Sequence, residues 1–101
     1  MLNLNEQTLT AYQQKVRAQI NEMKAKMQMF EAGLEKSGAD MRIKYQKNLD
    51  EWKSRFKEIE MNLDNLSDSA EENWNEVQSN IDDTMKELRS TIDSMTKQFN
   101  N

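Results

Sequence analysis

Apolar residues recur along this chain in steps of three and four. From Leu9 they run through Val16, Ile20, Met23, Met27, Phe30 and Leu34. The rhythm resumes at Met41 and continues through Tyr45, Leu49, Trp52, Phe56, Ile59, Leu63 and Leu66. A third set comprises Ala70, Trp74, Val77, Ile81, Met85, Leu88, Ile92, Met95 and Phe99. This spacing is the a/d seam of a heptad helix. No segment alternates with period two, so no strand is expected, and the predicted class is all-α in one domain over residues 1–101.

Two places interrupt the rhythm. Asp64-Asn65-Leu66-Ser67-Asp68-Ser69 gathers side chains that compete with the helix backbone. Ser69 followed by Glu72 forms a capping box, with Ser67 or Asp68 as the alternative cap, and either starts a new helix at about 68–70. At Glu35-Lys36-Ser37-Gly38-Ala39-Asp40, Gly38 offers a left-handed helix end, with Ser37 or Asp40 as the next cap. The seam also carries through this site as Phe30, Leu34, Gly38, Met41 and Tyr45, a stutter that a long helix absorbs. The predicted elements are therefore helices 6–36, 39–66 and 69–98. The first two either break near 36–39 or run on as one continuous or kinked helix about 90 Å long.

The seam is narrow, since its flanks are mostly Gln, Asn, Lys, Glu and Asp. A compact bundle usually adds a third apolar position per heptad, so the pattern favours a long antiparallel coiled-coil hairpin, with a three-helix bundle as the alternative. If the last helix folds back on residues 35–66, the seam formed by Leu9, Val16, Ile20, Met23, Met27, Phe30 and Leu34 has no partner in its own chain. Leaving these side chains wet costs about 1.5–3 kcal/mol each, so they are the expected oligomer interface, most simply of an antiparallel dimer.

Composition narrows the chemistry. The 101 residues include no His, Cys or Pro. A Ser-His-Asp triad, a Cys nucleophile, a tetrahedral zinc site and His- or Cys-ligated haem are thereby excluded. Net charge is −4, which lacks the electrostatic footprint of a nucleic-acid binder. The first six residues have neither a basic nor an apolar signal region, and no apolar run approaches about 20 residues. The expectation is a soluble, cytoplasmic protein.

Charge is also uneven. Residues 67–101 carry eight acidic and three basic side chains. Their expected complement is Arg42, Lys44, Lys47, Lys53, Arg55 and Lys57. The carboxylates Asp82, Asp83 and Glu87, or Glu71, Glu72 and Glu76, lack the His of a di-iron bundle and the loop of a calcium hand. No metal, cofactor or catalytic site is expected. Met23, Met27, Met41, Met85 and Met95 lie on or near the seam, where Met fills gaps, while Met29 and Met61 fall off it. Trp52 and Trp74 both read as core anchors.

Three stretches carry a family likeness. Tyr12-Gln13-Gln14-Lys15-Val16-Arg17-Ala18-Gln19-Ile20 resembles the opening of a group of small bacterial coiled-coil stress-response proteins. So does Ala39-Asp40 followed by Tyr45, Leu49, Lys53 and Arg55. The third is Ser69-Ala70-Glu71-Glu72-Asn73-Trp74-Asn75-Glu76-Val77. The resemblance covers about residues 11–99 and implies a bacterial, stress-associated, non-enzymatic helical protein of undefined activity. Together these readings predict a homo-oligomeric scaffold, adaptor or holdase-like binder of protein clients. The alternative is a peripheral lipid-binding protein of amphipathic helices.

Overall fold

The computed structural model describes residues 4–69 and 71–100. Helix α1 (Leu4–Ser37) and helix α2 (Ala39–Asn65) are separated by Gly38 alone. Two 3₁₀ turns, Leu66–Asp68 and Glu71–Asn73, lead into helix α3 (Trp74–Asn100). The all-α class is as expected, and Ala70 of the third seam lies outside the described residues.

Of the two architectures weighed, the chain adopts the three-helix bundle. Partners across α1 and α2 run in opposite order: Arg17 with Asp64, Lys24 with Glu60, Glu31 with Lys53 and Glu35 with Arg42. Partners across α1 and α3 rise together, Tyr12 with Asp82 and Lys26 with Asp93. The helices are therefore up, down and up, in a rod of 56 × 18 × 16 Å with a radius of gyration of 16.3 Å. A continuous helix over 6–66 would need about 90 Å, so the helix does break at Gly38.

The break occurs because the chain supplies its own cover. Folding α1 onto α2 and α3 buries its seam without the translational and rotational cost of recruiting a second molecule. It also needs no third apolar row. Gln13, Gln19, Lys24, Lys26 and Glu31 flank the α1 seam and are half-buried, their aliphatic stems covering the core while the polar heads reach water.

Both turns differ in detail from the sequence reading. Gly38 has φ 103° and ψ 172°, a positive-φ extended conformation rather than the left-handed helical one, and no side chain caps α2. The Ser37 hydroxyl instead donates back to the Gly33 carbonyl. Ser69 likewise turns its hydroxyl back to Asn65 O at 3.1 Å, and α3 begins only at Trp74, after the second 3₁₀ turn.

Candidate functional site: the apolar seam

Eighteen hydrophobic residues are buried among the described residues, and no polar or charged residue is buried with them. Sixteen of them, all but Leu9 and Leu66, form one continuous core from Val16 and Leu63 at one end to Leu34 and Tyr45 at the other. The seven residues expected at an oligomer interface are all part of this interior: Leu9, Val16, Ile20, Met23, Met27, Phe30 and Leu34 are each at most 6% exposed. In this conformation their cover is the chain's own α2 and α3. A hairpin with α1 outside it would leave them wet, whereas here α1 is packed within the bundle.

Near the Gly38 end the core is aromatic. Phe30 meets Tyr45 edge-on at 5.4 Å between centroids, Trp52 at 5.6 Å and Phe99 at 5.3 Å. Phe99 packs so closely on α1 that a Cβ at Gly33 would stand 2.9 Å from its Cε1. Gly33 is thus a seat for the last turn of α3. Trp52 is a core anchor as expected. Trp74 is only half-buried, and its indole donates to Ser69 O at 3.1 Å, tying the turn to the start of α3.

The polar frame is lopsided. Arg42 and Lys53, expected to complement the acidic last segment, pair with Glu35 and Glu31 of α1 instead. Among the described residues no ion pair joins α2 to α3. Gln13 donates to Leu63 O and to Ser67 Oγ, both at 3.0 Å, pinning α1 to the far end of α2. Polar attachments of α3 to α1 among the described residues include the Lys26–Asp93 pair at 3.4 Å and Tyr12. The Tyr12 hydroxyl donates to Asp82 Oδ1 at 2.7 Å and lies 3.2 Å from Gln78 O. Burial, then the hydrogen bond to Asp82 and its negative charge, push the Tyr12 phenol well above its ordinary range.

Sequence reasoning passed over Tyr12, Gln13 and the role of Gly33. Tyr12 had a signal, because it fills the gap between Leu9 and Val16 in steps of three and four. Gln13 had none. Met29 and Met61 are exposed as their register implies, and Ile43, not singled out in the sequence, is 74% exposed.

The surface carries open grooves along the helix pairs. One of about 800 Å³ lies between α1 and α3, lined by Lys26, Met29, Ser90, Asp93, Ser94, Thr96 and Lys97. Its opposite charges, Lys26 and Asp93, are already paired. Among the described residues no three Asp or Glu side chains gather closely enough to hold a metal ion. No helix among them is long and apolar enough to cross a membrane. Comparison with family models, curated proteins and solved structures finds no match for this chain.

Proposed function

We propose that the protein is a non-enzymatic binding protein of holdase or scaffold type, in which the apolar seam is the binding surface and α3 is its removable cover. The observation that carries this reading is the asymmetry of attachment. α3 contributes only four of the eighteen buried residues, Ile81, Met85, Leu88 and Ile92, and among the described residues no ion pair ties it to α2. Lifting α3 uncovers Trp52, which lines a crevice with Leu88, and the core beside it on the α1–α2 hairpin, an apolar trough with adaptable methionines at Met23 and Met27. Exposed apolar stretches of unfolding proteins are the matching client chemistry.

A client-aggregation assay tests it, with thiols introduced at Tyr12 and Asp82 and joined by a short crosslinker to lock α3 shut. The native chain should keep a heat-denatured reporter enzyme in solution, and the locked chain should not. Equal protection by both would overturn the role of α3, and no protection by either would overturn the reading.

A second reading has its own observation. Every apolar residue of α3, from Trp74 to Phe99, lies on one stripe, which is also the design of a helix that lies on a lipid surface. Its polar face is acidic, so neutral vesicles are the relevant probe. Co-sedimentation with them, lost on locking, would favour this reading over protein clients.

A further inference from the structure

We infer that Gly38 is an exchange hinge, and that its straightening turns α1 and α2 into one helix whose α1 segment packs on the α2–α3 pair of a second copy. This rests on the reading that the seam accepts cover from outside its own chain.

Five observations converge on it. The hinge is a single residue between helices of 34 and 27 residues. It sits at φ 103° and ψ 172°, a region essentially restricted to glycine. The first backbone N–H groups of α2 have no side-chain cap, and a straight helix would pair them with carbonyls at the end of α1. The turn offers little resistance to the movement: Ser37, Gly38, Ala39 and Asp40 are all exposed, a Cβ at Gly38 would meet nothing within 4 Å, and the Glu35–Arg42 pair that spans the turn is one the second copy remakes. The seam also stays in register when straightened, through Phe30, Leu34, Gly38, Met41 and Tyr45.

Charge order commits the occupant to a second copy of this chain. Only another α1 presents Arg17, Lys24, Glu31 and Glu35 in the antiparallel order that Asp64, Glu60, Lys53 and Arg42 complete. It also brings Tyr12 to Asp82. Exchange of an identical element is a low-cost route to a dimer, because every interaction broken within a chain is remade between chains. The strength of the α1–α2 interface then sets how slowly exchange occurs. Hinge conformation and chain concentration set where the equilibrium lies.

Gly38→Ala tests this directly. A Cβ disfavours the closed hinge by about tenfold per chain, so a dimer that relieves two hinges should gain on the order of a hundredfold in its association constant. Light scattering on refolded samples reads that gain. The chain has no cysteine, so E31C and K53C chains can be denatured, mixed and refolded, then treated with a short thiol crosslinker. A covalent heterodimer forms only where α1 of one chain lies on α2 of another. We expect that product in the Gly38→Ala background and, increasing with concentration, in the native one.

A Gly38→Ala chain that is helical and monomeric would overturn the inference, as would a dimer that yields no heterodimer crosslink. If Gly38→Ala fails to fold, the native-background mixture decides alone, and absence of the heterodimer at high concentration overturns it. An exchanged dimer that protects no client would instead count against the holdase reading and leave the hinge intact.

Discussion

The two interfaces of the bundle are built differently. Between α1 and α2 a one-residue turn, four ion pairs and the two Gln13 hydrogen bonds frame an apolar seam. α3 arrives through two 3₁₀ turns and presents a pure apolar stripe, held at its edges by Tyr12 and one long ion pair. Surface ion pairs contribute little energy, typically under about 1 kcal/mol each, but they fix order and orientation. The difference therefore teaches that α1 and α2 recognise each other specifically, while α3 is retained mainly by non-directional burial. An element held that way is the one most easily exchanged for another apolar surface.

The comparison can be broken or sharpened by substitution. Trp52 is 2% exposed and packs on Phe30, and it lines the α2–α3 crevice with Leu88. Trp52→Ala should cost about 3–5 kcal/mol and lower the unfolding midpoint of all three helices together in a circular-dichroism melt. Leu88→Ala should cost about 2–5 kcal/mol, expressed first as earlier exchange of α3 amides and stronger client capture.

Smaller effects separate the edges. Tyr12→Phe removes the bond to Asp82 and should cost about 0.5–1.5 kcal/mol in a denaturant titration, again felt first in α3. Its pH signature is distinctive. The phenol ionises at a higher pH in the folded chain than its ordinary 10.0. Above pH 10 the unfolded chain loses that proton first, so this contribution is full below pH 10 and falls as pH rises beyond it. Tyr12→Phe should remove that part of the alkaline decline. The smallest effect belongs to Arg17→Ala, whose exposed pair with Asp64 should be worth less than about 1 kcal/mol and weaken with salt.

Much of the fold was legible in the sequence because the three-four rhythm is a direct consequence of helix geometry. Seam positions such as Ile20, Leu49 and Ile92 are buried as the pattern demands. The architecture was less legible, because the same a/d seam serves a coiled-coil dimer and a closed bundle alike. The choice turned on Gly38, which is permitted both inside a helix and at a positive-φ turn. It turned also on flanking side chains such as Gln13 and Lys24, whose stems cover the core although their type reads as polar. Charge complementarity was hard to read in the sequence for a related reason. Arg42 and Lys53 find Glu35 and Glu31 once α1 folds back, a proximity that an extended hairpin does not create. The seat of Phe99 on Gly33 is a contact between α1 and α3, visible only when the third helix is in place.

Native-state hydrogen exchange, read helix by helix in the unmodified protein, tests the central claim most directly. If α3 is a removable cover, amides of residues 81–92 should exchange through an opening of lower free energy than those of 16–34 and 45–63. The α1–α2 amides should then wait for global unfolding. A single free energy shared by the cores of all three helices would contradict the account, because α3 would then have no way to leave without the rest of the bundle.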